Sequence, residues 1–353
     1  MEKHYLKISS FPLESGILLK NVEVEYHLYG KKSSNKTIWI CHALTANSDP
    51  FEWWPNICGN SGFYNPKDHF IVCANILGSC YGTTGPLSKD ENGDVYFDEF
   101  PTITIRDMAN LHEQLRLHLQ IDSIHTLIGA SLGGQQALEW AILQPKVFER
   151  LILIATNARH SPYGIAFNES QRLAIEADTT YYSKTINGGR SGLIAARSIA
   201  LLSYRSYNGY LYTQEESDFD KINQFKAAHY QRYQGVKLAD RFNAYSYVTL
   251  TKAMDTHNVA RGRGSFSIAL GRIQAKTLII GITSDQLFPI SEQLFLYRNI
   301  EDSEFRTINS SFGHDGFLIE YEAIIEHISN FYQLDSSKKN ILKPPFQEYL
   351  FTA

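Results

Sequence analysis

Ser131 stands in Gly-Ala-Ser-Leu-Gly-Gly, residues 129–134, directly after the apolar run His125–Ile128 and directly before Gln135–Leu143. That order reads as strand, tight turn and helix. A serine at the tip of such a turn is the nucleophile-elbow pattern, in which the flanking glycines keep Cβ atoms away from the neighbouring strand and helix. A serine hydroxyl is a weak nucleophile at neutral pH, so it needs a histidine base and an acid that fixes the imidazole tautomer. Asp285 follows the apolar segment Thr277–Ser284, and His314 lies in Ser-Ser-Phe-Gly-His-Asp-Gly, residues 310–316, after the strand-like Phe305–Ile308. The order Ser, Asp, His, with room for one helix and one strand between the last two, is the order that such elbow enzymes use. Taken singly, Asp285 also fits a turn or helix N-cap before Ile290, and Asp315 fits a cap for the helix from Gly316. The three together favour catalysis.

An oxyanion formed at Ser131 needs two N–H donors, and the backbone amides of Leu132 and of Leu44, in the loop after Thr37–Cys41, form the natural pair. His42 beside them reads as structural rather than as a second base. Arg197 shares a helix face with Leu193, Ala200, Leu201 and Tyr204. An arginine in an apolar stripe must find an anion, and periodicity leaves two choices open: an internal ion pair or snorkelling head group, and the carboxylate of a ligand.

Elements must position these residues. Strand-like runs rich in Ile, Val, Leu and Thr occur at Thr37–Cys41, His69–Ile76, His125–Ile128, Arg150–Thr156, Lys276–Ile282 and Phe305–Ile308, with helical periodicity at Thr104–Leu119 and Leu132–Leu143. Continuous apolar strands alternating with helices predict an α/β protein of the α/β-hydrolase kind, a mainly parallel sheet covered by helices. From about His160 to Arg263 the chain turns helical, polar and rich in tyrosine. This predicts a core of residues 1–159 and 264–334, an inserted helical cap over 160–263, and a polar tail over 335–353. Arg261-Gly-Arg-Gly264 reads as a solvated hinge at the cap exit, with an anion site as the alternative.

The chain has 353 residues, 33 Lys plus Arg against 37 Asp plus Glu and a formal net charge of −4, so a nucleic-acid partner is not expected. No apolar run has the length of a membrane span and the N-terminus lacks a signal-peptide core, which leads to the expectation of a cytoplasmic protein. The four cysteines, Cys41, Cys58, Cys73 and Cys80, form no C-x-x-C pair and read as reduced thiols. The twelve histidines show no metal-ligand spacing, so no metal is expected.

Several segments together resemble the homoserine O-acyltransferase family. They are Cys41-His-Ala-Leu-Thr45, Asn75–Pro86, Thr104-Ile-Arg-Asp-Met108, Gln135-Gln-Ala-Leu-Glu-Trp-Ala141, Leu250–Asp255, Arg261–Gly264 and Gly313-His-Asp315. The resemblance implies Ser131, Asp285 and His314 as the triad and Leu44 with Leu132 as oxyanion amides. It implies Arg197 at the substrate carboxylate and Asp315 at the substrate amine; Tyr204, on the helix face of Arg197, is expected beside them as a further substrate-binding residue. It further implies acetyl-CoA as acyl donor, L-homoserine as acceptor, no resident cofactor and a homodimer, with succinyl-CoA, serine as acceptor, or ester hydrolysis on the same triad as alternatives. Two departures stand out: Gly-Ala-Ser-Leu-Gly-Gly where the family commonly has Gly-Gly-Ser-Met-Gly-Gly, and Gly59-Asn-Ser-Gly62 where it has Gly-Pro-Gly.

Overall fold

The computed structural model describes residues 3–34 and 36–334, so the expected tail at 335–353 lies outside the described residues. Among the described residues eight strands build one sheet: β1 (Lys3–Pro12), β2 (Leu18–Tyr29), β3 (Thr37–Cys41), β4 (Phe70–Ala74), β5 (Ile124–Ala130), β6 (Phe148–Ile154), β7 (Lys276–Ile282) and β8 (Ser303–Ile308). Their spatial order is β1-β2-β4-β3-β5-β6-β7-β8. β1 and β2 run antiparallel to their neighbours, and every pairing from β4 to β8 is parallel.

The central stretches of the parallel strands β3 to β7 are apolar because both faces are covered, whereas the edge strand β8 carries Ser303, Glu304, Arg306 and Thr307 and is mostly half-buried. Trp39, Val72, Leu127, Leu151 and Ile279 point to one side, and Ile38, Ile71, Ile128, Ile152 and Ile280 to the other, all fully buried. The helices are α1 (Pro50–Trp53), α2 (Ile105–His118), α3 (Leu132–Leu143), α4 (Pro162–Glu176), α5 (Arg190–Tyr204), α6 (Tyr207–Gln214), α7 (Lys226–Ala239), α8 (Ala244–Asp255), α9 (Phe266–Leu270), α10 (Ile290–Asn299), α11 (Gly316–Ile319) and α12 (Tyr321–Leu334). On the first face Leu115 of α2 and Leu138 and Trp140 of α3 pack on the sheet; on the second, Ile324, Ile328 and Phe331 of α12 do so. α2 starts where Thr104 and Asp107 cap each other reciprocally, which is why its helix begins at the residue after Thr104. Between β6 and β7 the chain runs through α4 to α9 with no sheet strand. No helix among the described residues is long and apolar enough to cross a membrane.

The segment at Arg261–Gly264 differs from its sequence reading. It is neither a solvated hinge nor an open anion site. Arg263 is paired with the buried Glu139 of α3 at 2.5 Å, Arg106 bridges Glu139 and Glu14 at 2.6 Å each, and Arg261 holds Glu14 at 2.7 Å. Burial alone would raise the Glu139 carboxyl, but Arg263 and Arg106 outweigh it and hold it below its usual range. The two arginines therefore tie the end of the helical stretch to α3, α2 and the turn between β1 and β2.

Candidate active site

Ser131 sits between β5 and α3 with φ 56° and ψ −127°, a conformation that L residues rarely adopt. The glycines around it follow from contact. A Cβ at Gly129 would overlap the Gly133 carbonyl, one at Gly133 the Cys41 carbonyl, and one at Gly134 the Thr156 side chain. The strain is held by Ser131 N–H donating to Ile154 O at 3.0 Å and by Thr156 Oγ1 donating to Ser131 O at 2.9 Å. The N-terminus of α3 points at the hydroxyl, so its partial positive charge favours a developing anion there.

Asp285 follows β7, and its side chain is fully buried. One oxygen accepts from the amides of Leu287 and Phe288, each at 2.9 Å, and the other lies 2.6 Å from His314 Nδ1. The N-cap of α10 is Pro289, so Asp285 does not cap that helix. His314 Nε2 in turn lies 2.8 Å from Ser131 Oγ. Because both carboxylate oxygens are engaged and acceptor-only, Nδ1 carries the proton and Nε2 is left free to accept from the serine hydroxyl. The imidazole is held by Phe288 stacked at 5.0 Å, Phe317 edge-on at 5.4 Å and Tyr204 at 5.8 Å. Its loop is anchored by Gly313 N–H donating to Ser284 Oγ at 2.9 Å. The sequence placed these three residues in separate segments; the fold brings them into one hydrogen-bonded chain.

A cavity of about 490 Å³ opens over Ser131 and is lined by Leu44, Arg197, Tyr204, His314 and Asp315 among others. Arg197 is half-buried and makes no ion pair with any described residue; its guanidinium stands 5.3 Å from the centre of the Tyr204 ring. Of its two sequence readings, the internal ion pair is thus missing. Burial raises the Tyr204 hydroxyl above its ordinary value. Asp315 makes no cap hydrogen bond to α11 and instead has Arg205 Nε 2.9 Å from its carboxylate. Sequence reasoning missed Arg205. Its signal was only its place at the end of α5, next to Tyr204. It also missed Arg241 and Tyr81 at the cavity wall, where Arg241 Nη1 donates to Thr45 O and to Tyr81 Oη, each at 2.5 Å. These two residues come from segments with no apolar periodicity to frame them.

His42 is fully buried, with Nδ1 against Ala43 O at 2.8 Å and Nε2 accepting from Ile76 N–H at 3.2 Å. Both ring nitrogens are occupied, and burial lowers the imidazole to about 4, which removes it as a second base.

A serine elbow, a histidine and a buried aspartate in hydrogen-bonded sequence can carry an acyl group on the serine, and many chemistries use that arrangement. The relatives narrow it. A family model described as alpha/beta hydrolase fold matches residues 36–321. Homoserine O-acetyltransferase of Cyclobacterium marinum is 45% identical over 323 residues, which cover 91% of this chain and 92% of that protein. The chain belongs to the homoserine O-acetyltransferase family. A solved homoserine O-acetyltransferase from Staphylococcus aureus superposes with TM-score 0.81 at 29% identity, covering 96% of this chain and 97% of that one. An acetylester hydrolase from Corynebacterium glutamicum superposes as well, with TM-score 0.82 at 21% identity over 95% of this chain and 96% of that one. The fold is therefore common to homoserine O-acetyltransferases and ester hydrolases, and the sequence relationship is what assigns this chain to the homoserine O-acetyltransferase family.

Proposed function

We propose that this enzyme moves an acetyl group from acetyl-CoA to the hydroxyl of L-homoserine through an acyl-Ser131 intermediate, with no resident cofactor. His314 takes the Ser131 proton as Oγ attacks the thioester carbonyl; the tetrahedral oxyanion rests on the Leu44 and Leu132 amides, the C–S bond breaks, and CoA leaves with the proton. Homoserine then enters, with Arg197 at its carboxylate and Asp315 at its ammonium. Its hydroxyl gives its proton to His314 and attacks the acyl carbonyl, and release of Ser131 yields O-acetylhomoserine, a methionine precursor. The observation that carries the reading is Arg197, a cation on the cavity wall with no carboxylate partner among the described residues. A hydrolase working on neutral esters has no use for it.

The assignment of 160–263 as a cap over a core of 1–159 and 264–334 belongs to the same reading, because a helical layer above Ser131 excludes water from the acyl-enzyme. We read the working form as a homodimer in the cytoplasm. Tyr207, Leu211 and Tyr212 of α6, Phe219 and Ile222 after it, and Tyr233 of α7 are exposed apolar side chains that support self-association, and four free cysteines suit a reducing compartment. Sedimentation velocity giving a monomer at micromolar concentration would remove the dimer. The central test is thiol release from acetyl-CoA under turnover. Sustained release only when homoserine is present supports the transferase; equal release without it makes the enzyme a hydrolase.

A further inference from the structure

Two amides on different elements must converge on one point to stabilise an oxyanion, Leu132 from the first turn of α3 and Leu44 from the loop after β3. As the first residue of α3, Leu132 has no carbonyl one turn back within the helix, and the Leu44 N–H makes no hydrogen bond to a described residue. Both donors are free. Their separation is fixed from behind. Gly133 lets the two backbones touch, since a Cβ there would overlap the Cys41 carbonyl. One turn along α3, the fully buried Gln136 spans the two loops. Its Nε2 donates to His42 O at 3.1 Å and to Leu132 O at 3.2 Å, and its Oε1 accepts from His112 Nε2 at 2.9 Å. Carbonyl oxygens only accept, so the orientation of the amide and the tautomer of His112 are both determined.

His42 completes the arrangement. Its Nδ1–H holds the Ala43 carbonyl, and in a trans peptide the following N–H points the opposite way, so fixing Ala43 O aims the Leu44 amide. We propose that Gln136, backed by His112 and joined to His42, is the positioning residue that holds the two oxyanion amides at their working separation. It touches neither substrate nor reacting atoms; it acts through the peptide groups of His42 and Leu132. Burial keeps His112, like His42, neutral by lowering it to about 4, so the network holds one protonation state throughout the working range. The proposal rests on the acyl-serine reading only in needing an oxyanion to stabilise.

The test compares wild type with Gln136→Met, of similar length and without N–H donors, and with Gln136→Asn, whose amide is one methylene short of spanning both carbonyls. Working sites are counted by end-point fluorophosphonate labelling, so that misfolded molecules drop out, and if the Met variant fails to fold the Asn variant carries the test. Turnover per site should fall roughly 10- to 100-fold, by analogy with the loss of an oxyanion donor, while the KM for each substrate changes by less than about threefold. A trifluoromethyl ketone shaped like the acyl donor adds to Ser131 Oγ and leaves its oxygen as an oxyanion, and its affinity should fall by the same factor as kcat/KM. Per-site turnover within about twofold of wild type, or ketone affinity that holds while kcat falls, overturns the proposal. If wild type takes no acetyl group from acetyl-CoA yet ketone binding still weakens in both variants, the positioning role stands and only the donor assignment fails.

Discussion

Arg197 meets two conflicting demands at the scale of one residue. It sits half-buried beside Tyr204 on a helix whose neighbouring positions, Leu193, Ala200 and Leu201, are fully buried, yet no described carboxylate pairs with it. A guanidinium so placed gains most from a planar acceptor that arrives with the substrate. Arg197→Lys keeps the charge and loses the two parallel hydrogen bonds. The apparent affinity for homoserine should then weaken by roughly ten- to a thousandfold, about 1.5–4 kcal/mol, while acylation of Ser131 changes little. Steady-state kinetics with 3-aminopropanol, which lacks the carboxylate, provide the check: wild type and variant should use it about equally badly. A variant that still discriminates against it as strongly as wild type would move carboxylate recognition to another residue. Asp315 already has Arg205 at 2.9 Å, so the ammonium proposed to bind there would join a carboxylate that already has one cationic partner.

Elements decide how the site is held, and here sequence and structure part in instructive places. The parallel strands β3 to β7 were legible because burial on both faces makes their central stretches apolar, and of the half-buried edge strand β8 only Phe305–Ile308 was legible. β1 was not, because its exposed and half-exposed positions carry Lys3, His4, Tyr5, Lys7 and Ser10, and only Leu6 and Phe11 are buried. The elbow was legible because contact requires its glycines, and the Ser, Asp, His order because Ser131, Asp285 and His314 each follow a strand. Gln136 and His42 gave no local sign of what they hold, since Gln136 reaches His42 O and His112, and His42 reaches Ile76, all distant in sequence. Arg261 and Arg263 read as solvated because their partners, Glu14 and Glu139, are far away in sequence. That ion cluster supplies an element-scale prediction. Glu139→Ala removes the carboxylate shared by Arg106 and Arg263 and leaves Arg263, itself largely buried, without a counter-charge. Stability should drop by about 3–5 kcal/mol in urea denaturation, with per-site kcat close to wild type in the folded fraction. A loss below about 1 kcal/mol would mean that the cluster is as weak as a surface pair.

The whole molecule carries several histidines buried in the neutral form: burial lowers His42, His112 and His257 to about 4 and His160 to about 3. In the unfolded chain each titrates near about 6.5, so below that pH the unfolded state binds more protons and stability falls as pH drops toward the folded values. The urea midpoint should therefore decline steadily from about pH 7 to about pH 4.5, and a flat profile would show that these rings are not held neutral. At the same scale, the transfer reaction turns on one covalent event. Intact-mass and peptide mass spectrometry after mixing the protein with acetyl-CoA, without acceptor, measures it directly. One acetyl group per chain should appear on Ser131, disappear when homoserine is added and reappear as O-acetylhomoserine. No adduct on Ser131, or an acetyl group lost to water as fast without homoserine as with it, would contradict the proposed transfer.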